Sequence, residues 1–166
     1  MEYIYRYHSP LGSITMTSDG ELLTGLWFDG QNGRRSVSFP EREQTLLPVF
    51  DDALKWLDTY FEGKEPCFTP AMSLAATPFS ETVWKTILSI PYGHTMTYGE
   101  IADRVAFYFG IPRMSARAVG GAAGRNPILI IVPCHRVVGS GGRLTGYSGG
   151  TEIKKKLLEI EKLTQS

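Results

Sequence analysis

Pro133-Cys134-His135-Arg136-Val137 is the stretch of this chain whose residue types could do covalent chemistry. A free cysteine thiol has a pKa of about 8.5 and is only a few per cent thiolate at neutral pH. An imidazole beside it can accept the proton and stabilise the anion as an imidazolium pair. Cys134 is therefore the candidate nucleophile and His135 its candidate base. The motif follows an unbroken apolar run, Ile128-Leu129-Ile130-Ile131-Val132, which reads as a buried strand. Pro133 ends that run, so the thiol is expected where the chain leaves the core. A Cys-His hydrolase would use the same pair, but it also needs an oxyanion hole and a peptide cleft. Two cysteines and three scattered histidines do not supply four ligands at zinc spacing, so no metal site is expected.

The elements that must position this motif lie in the second half of the chain. Thr77-Pro78 reads as the N-cap and first-turn proline of a helix. Phe79, Val83, Trp84, Ile87 and Leu88 form its apolar stripe, and Pro91-Tyr92-Gly93 ends it. Thr97-Tyr98-Gly99-Glu100 has capping-box spacing and opens a second helix with Ile101, Ala102 and Val105 facing inward. Ser115 caps a third, Ala116 to Gly124, with Arg117 in its first turn, where the macrodipole disfavours a cation. Two short helices joined by a turn resemble a helix-turn-helix. Gly120, Gly121 and Gly124 each cost about 1 kcal/mol against alanine in a helix. They fit either tight packing on a neighbouring helix or a helix slim enough for a groove about 6 Å wide, the minor groove of DNA. After the cysteine motif, residues 139–150 are glycine-rich but lack the Gly-Lys-Ser/Thr ending of a phosphate loop, and read as a wing or pocket wall. The last helix, from about Thr151 to Leu163, carries Ile153, Leu157 and Leu158 on its inward stripe. Glu161 points the same way, either as a solvated helix end or as a carboxylate that orients a histidine.

The first half reads as a small antiparallel meander: Tyr3 to Tyr7, a Ser9-Pro10-Leu11-Gly12 turn, Ser13 to Ser18, an Asp19-Gly20 hairpin signal, then Glu21 to Phe28. A helix opening at Pro48 places Phe50, Leu54, Leu57 and Phe61 on one face, and Gly63 closes it. Residues 29–45 are polar and irregular. Cys67 sits between Pro66 and Pro70 and reads as an inert thiol. The expected fold class is α/β in two lobes, residues 1–76 and 77–166: a small antiparallel sheet with a helix, then a mostly helical, winged-helix-like domain with a helix-turn-helix.

At 166 residues and 42% apolar content, the chain can bury an ordinary core. No apolar run approaches the ~18 residues of a membrane span, and Met1-Glu2-Tyr3-Ile4-Tyr5-Arg6 lacks the basic start and apolar stretch of a signal peptide. A cytoplasmic location is the expectation. Net charge is zero but divided: residues 1–76 hold 6 Lys+Arg against 11 Asp+Glu (−5), and residues 77–166 hold 11 against 6 (+5). The basic second half fits either local solubility or contact with a polyanion.

These residues resemble the O6-alkylguanine-DNA alkyltransferase family. The likeness is carried by Pro133-Cys134-His135-Arg136-Val137, Ala116-Arg117-Ala118-Val119-Gly120 and Gly146-Tyr147-Ser148-Gly149-Gly150. Thr77-Pro78-Phe79, Trp84-Lys85, Ile90-Pro91-Tyr92-Gly93 and Tyr98-Gly99 add to it. It is specific over residues 77–161 and general in layout before them. The resemblance implies a monomer that binds double-stranded DNA through the minor groove, flips O6-alkylguanine into a pocket, and moves the alkyl group irreversibly to Cys134, once per molecule, with no cofactor. The substrate range would include O4 of thymine. It further implies that His135 takes the thiol proton through a water, that Glu161 accepts from the imidazole and that Asn126 braces the loop. Tyr98 would supply a hydrogen bond or proton to ring N3. Tyr147 and Ser148 would address O6 through the backbone, and the carbonyls of Cys134 and Val137 would accept from the 2-amino group. Arg117 would fill the stack, with Ser115 and Tyr98 also on the DNA side. Arg136 reads as a structural ion-pair partner. A lesion-sensing binder without catalysis is the alternative, although such relatives replace the cysteine. The chain departs from the family between Tyr98 and Arg117, where Ala106 to Met114 make the connection several residues longer. The helix there either extends and buries Phe107 and Phe109, or presents an aromatic tip and Arg113 to DNA.

Overall fold

The computed structural model describes residues 2–30 and 44–163. It divides into two compact units, with the division after Ser73.

In the first unit β1 (Tyr3–Ser9), β2 (Gly12–Ser18) and β3 (Leu23–Phe28) form an antiparallel sheet in the order β1-β2-β3. Tyr5 pairs with Met16 and Met16 with Leu26, so the central strand is hydrogen-bonded on both edges. β2 is buried on both faces from Ile14 to Ser18. Its hydroxyls are therefore satisfied internally: Thr15 donates to Asp29, and Thr17 meets Thr24 at 2.9 Å. The outer edge of β3 is covered by the returning chain, with Leu23 N donating to Ala71 O (2.8 Å) and Ser73 N to Leu23 O (2.9 Å). The helix α1 (Pro48–Phe61) has proline in its first turn and buries Val49, Phe50, Ala53, Trp56, Leu57 and Tyr60. That stripe is rotated from the expected one: Leu54 and Phe61 are only half-buried. Much of the irregular 29–45 segment lies outside the described residues.

The second unit holds α2 (Pro78–Leu88), the two-residue strand β4 (Met96–Thr97), α3 (Tyr98–Phe109), α4 (Ala116–Gly124), β5 (Val137–Val138) and α5 (Thr151–Leu163). Side-chain caps start the three middle helices: Thr77 accepts from Ser80 N (3.2 Å), Thr97 from Glu100 N (3.1 Å) and Ser115 from Ala118 N (3.1 Å). Each such cap is worth about 1 kcal/mol. α2, α3 and α4 pack on one another, and the Trp84 indole N–H donates to Ala122 O at 2.9 Å, tying α2 to α4. β4 and β5 pair in parallel, Met96 with Val137, which brings the start of α3 beside the end of the cysteine motif.

The strand expected before the cysteine motif is absent. Ile128–Val132 is a buried turn, with Val132 N donating to Ile128 O (3.2 Å) and Ile131 N to Leu129 O (2.8 Å). A continuous apolar run shows that a segment is buried, not which backbone it adopts. Ile130 sits at φ 69, a conformation a β-branched residue rarely takes. Of the two readings of the longer connection, burial fails: α3 extends through Phe109 but leaves Phe107 89% exposed. Among the described residues no helix is long and apolar enough to cross a membrane.

Candidate active site

Asn126 builds the floor of the site. Its side chain is fully buried and spans the turn, with Nδ2 donating to Val132 O (3.0 Å) and Oδ1 accepting from Ile128 N (2.9 Å). One amide thus satisfies two backbone groups that a strand would have paired through its ladder. The chain leaves this turn into a single 3-10 turn, Cys134–Arg136, whose last carbonyl bond joins Val137 N to Cys134 O.

All three side chains of that turn are buried. His135 Nε2 lies 2.5 Å from Glu161 Oε2. The other carboxylate oxygen accepts from Arg136 Nε (2.7 Å) and from the Gly93 amide (3.0 Å). Arg136 is fixed in turn by donating through Nη1 to Ile90 O at 2.8 Å. Burial alone would raise the Glu161 carboxyl, but the hydrogen bond and charge of His135, the Arg136 guanidinium and the Gly93 amide together hold it at about 2. An ionised carboxylate only accepts hydrogen bonds. Nε2 of a neutral imidazole must therefore carry the proton, which makes Nδ1 the basic nitrogen. Burial lowers the His135 pKa, with Glu161 opposing, so the resting ring is neutral. Burial likewise pushes the Cys134 thiol up to about 12, against the opposing pull of Asn126 and Lys154. The resting pair is thiol and imidazole. The sulfur is not already an anion at the edge of the core, as the motif suggested, because the turn that carries it is folded inside.

Lys154 is the group that sequence reasoning missed. Its side chain is fully buried, and Nζ donates to Val137 O (2.5 Å), Thr145 O (3.0 Å) and Gly146 O (3.2 Å). It clamps the glycine-rich wall to the strand that follows the cysteine. Burial lowers its pKa to about 8, while the nearby Cys134 acts to raise it. A signal was available: Lys154, Leu157 and Glu161 recur at helical spacing on one face of α5. Lys154→Met is expected to slow reactions of the Cys134 thiol about tenfold, or about 1.4 kcal/mol. The wild-type advantage should shrink as pH rises through about 8, where the ammonium loses its charge. Rates of Cys134 alkylation of the two proteins by a small electrophile across that range check this, and a constant ratio would exclude a charge role.

The remaining expected residues surround this centre. Tyr98, first residue of α3, donates its hydroxyl to Thr145 O at 3.1 Å. Burial, then the nearby Cys134, raise its pKa, so it keeps its proton. Ser148 donates Oγ to Gly124 O (2.7 Å), joining the wall to the end of α4. The Tyr147 ring stands edge-on to His135 at 6.3 Å. The Val137 carbonyl already accepts from Lys154, and that of Cys134 from Val137 N. Each keeps a second lone pair for a ligand. Ser115 spends its hydroxyl on the α4 cap, and Arg117 is exposed in the first turn of that helix. Among the described residues no group of three or more His, Cys, Asp or Glu could hold a metal ion.

Residues 78–163 match the family profile described as 6-O-methylguanine DNA methyltransferase, DNA binding domain, and residues 3–74 match the ribonuclease-like domain of the same family. The chain belongs to the 6-O-methylguanine DNA methyltransferase family. Within it, the chain is 46% identical over 155 residues to a methylated-DNA--protein-cysteine methyltransferase of Mycobacterium tuberculosis, covering 93% of this chain and 88% of the relative. It is 41% identical over 159 residues to one from Methanosarcina acetivorans, covering 96% and 97%. The fold is similar to that of M. tuberculosis OGT in a crystal structure with DNA, at TM-score 0.82 and 41% identity, covering 98% of this chain and 94% of that one. It is also similar to the O6-methylguanine-DNA methyltransferase of Pyrococcus kodakaraensis, at TM-score 0.64 and 28% identity, covering 97% and 99%.

Proposed function

We propose that this family member repairs alkylated double-stranded DNA by direct reversal, taking the alkyl group from O6 of guanine, and from O4 of thymine, irreversibly onto Cys134. The observation that carries this reading is the buried Cys134–His135 turn with Glu161 held ionised behind the imidazole. In the reaction the sulfur attacks the alkyl carbon, an S–C bond forms and the C–O6 bond breaks. The thiol proton passes to His135 Nδ1 through one water, and Glu161 stabilises the imidazolium. The guanine leaves as an oxyanion neutralised by a proton delivered from Tyr98 to ring N3, and His135 restores the tyrosine. Backbone amides at Tyr147 and Ser148 address O6, and the carbonyls of Cys134 and Val137 take the 2-amino group. The thioether is stable, so the protein acts once and consumes no cofactor. Such thiol chemistry on DNA suits a reducing, cytoplasmic compartment, and both cysteines are free.

α4 supports the mode of approach. A Cβ added at Gly124 would meet nothing within 4 Å, one at Gly121 only the end of Arg125, and one at Gly120 the Tyr98 ring at an ordinary 3.8 Å. Internal packing therefore does not demand these glycines. A slim helix entering the minor groove does, with Arg117 replacing the flipped base and Ser115 at the phosphate side. Arg117→Ala should weaken transfer from a lesion-bearing duplex by about 2 kcal/mol, the scale of the flipping cost, and leave transfer from free O6-benzylguanine unchanged. Equal losses would remove Arg117 from flipping.

The test of the function is stoichiometry. Incubated with a duplex carrying O6-methylguanine, the intact protein should gain the mass of one methyl in place of one hydrogen, mapped to Cys134, and then stop. Continued turnover would contradict the reading. Binding to the lesion without mass change would favour a sensor, a reading the retained thiol argues against.

A further inference from the structure

The connection between α3 and α4 carries surface that the repair reading leaves unused. From Phe107 to Ala118 every residue except Met114 is exposed. Phe107 is 89% and Tyr108 72% exposed. This is not a frayed helix end. Gly110 closes α3 in the left-handed conformation (φ 66, ψ 32), with Ile111 N donating to Ala106 O at 3.0 Å and Gly110 N to Phe107 O at 3.1 Å. The rings are thus displayed from a terminated helix, and Tyr108 is braced edge-on against Phe109 at 5.3 Å. Large apolar groups held exposed in this way mark contact surfaces.

Charge indicates what they meet. From Arg104 to Thr151 the sequence contains six arginines and no aspartate or glutamate. Arg136 is committed to Glu161, whereas Arg113 and Arg117 are exposed on the same ribbon as the rings. Residues 110–115 lead directly from the aromatic tip to the first turn of α4, the element read above as entering the minor groove. Beside the rings, Asp103 shares their groove with Lys85 and Arg104, so basic groups outnumber the one carboxylate there. The ribbon from Gly110 to Ala118 carries Arg113 and Arg117 and no carboxylate. A basic ribbon continuous with that helix is complementary to the phosphate backbone.

We propose that Phe107, Tyr108 and Arg113 form a second DNA-contact element beside α4 that lengthens the footprint along the duplex. Arg113 pairs with a phosphate, and the two rings pack on deoxyribose and base edges in the flanking minor groove. This rests on the DNA-repair reading. The test uses the full chain, with Phe107→Ser/Tyr108→Ser and, separately, Arg113→Ala, all on exposed positions. Binding to a fluorescein-labelled, lesion-free duplex is followed by anisotropy at several salt concentrations, beside methyl transfer from a lesion-bearing duplex and reaction with free O6-benzylguanine. The ring variant should bind the duplex about tenfold more weakly, as expected when aromatic contacts to nucleic acid are lost. Arg113→Ala should reduce the slope of log K against log salt by about 0.9, one phosphate contact. Reaction with the free base should be unchanged for both. Parent-like duplex binding and salt slope in both variants overturns the proposal while leaving the repair reading intact, provided the parent accepts its methyl group. A parent that neither binds duplex nor gains mass sinks both. A change confined to self-association on sedimentation would make the tip a protein contact and equally overturn the proposal.

Discussion

Cys134→Ser is expected to abolish methyl transfer, by about 10⁴-fold or more, while duplex binding persists. The substitution keeps the shape of the side chain and replaces the nucleophile with one far harder to ionise. The site adds a specific reason for so steep a loss. Burial already pushes the Cys134 thiol up to about 12, so the resting site gives the sulfur little anionic character to spare. What makes the thiol workable is a base whose proton affinity rises when it is needed. His135 is neutral at rest, and its Nε2–H is anchored on an ionised carboxylate. A serine hydroxyl starts several pKa units higher, beyond what that imidazole can bridge. The fold should survive: a buried hydroxyl placed near Asn126 costs about 1–3 kcal/mol if poorly paired. Intact mass after incubation with lesion-bearing duplex, thermal melting and anisotropy on the same duplex separate the three effects. Residual transfer onto another residue would show that Cys134 is not the acceptor.

The same resting neutrality explains why a base buried at the bottom of a protein is compatible with attack on DNA. The site's charges are held by fixed partners, Glu161 by Arg136 and the Lys154 ammonium by carbonyls. A flipped base then meets donors and acceptors already oriented, and charge develops only during transfer. The glycine-rich wall is part of this arrangement, since Lys154, Tyr98 and Ser148 each tie it to a different helix.

Much of this arrangement is legible in the sequence itself. Local signals locate the helices: Thr77, Thr97 and Ser115 each accept the backbone N–H that a cap should accept, because capping depends on residues three apart in the chain. The hairpin at Asp19-Gly20 and the proline start of α1 are equally local. Sequence reading fails where tertiary context decides. Ile128–Val132 is as apolar as a strand, but its β pairing goes no further than a single bridge at Ile128, and Asn126 supplies hydrogen bonds to the turn from the side. Lys154 looks like one of three solvent-facing lysines in Lys154-Lys155-Lys156. Only the fold shows that the first of them is surrounded by carbonyls. Hydropathy cannot choose between a buried and a displayed Phe107. Tertiary position chooses: Phe107 and Tyr108 flank an open groove beside Thr82, Lys85 and Thr86 of α2, and Phe107 stays 89% exposed.

Glu161→Gln should be the most damaging conservative change outside the nucleophile. Its carboxylate receives donors from His135, Arg136 and Gly93 at once. A glutamine keeps the size but offers one acceptor oxygen and adds a donor. Whichever way the amide is turned, Arg136 loses its anion, and either the imidazole N–H or the Arg136–Gly93 pair of donors faces an NH2 in place of an acceptor. A buried cation without its counter-ion is costly. The stability effect has a defined pH signature. The folded pKa of Glu161, about 2, lies below its ordinary 4.5. Its contribution is therefore present above about 4.5 and is lost as pH falls towards 2. With each pKa unit worth about 1.4 kcal/mol, the wild type should exceed the variant by about 3 kcal/mol near neutrality. That gap should close in acid. Alkyl transfer should slow by about 10²–10³-fold, the scale of a misplaced general base. The slowing should appear equally with duplex and with free O6-benzylguanine, because Glu161 acts through His135 and not through DNA. Urea melts at neutral and acid pH, with single-turnover rates on both substrates, give the two readouts. A stability gap independent of pH would deny the ionised carboxylate, and an unchanged rate would take Glu161 out of the proton relay.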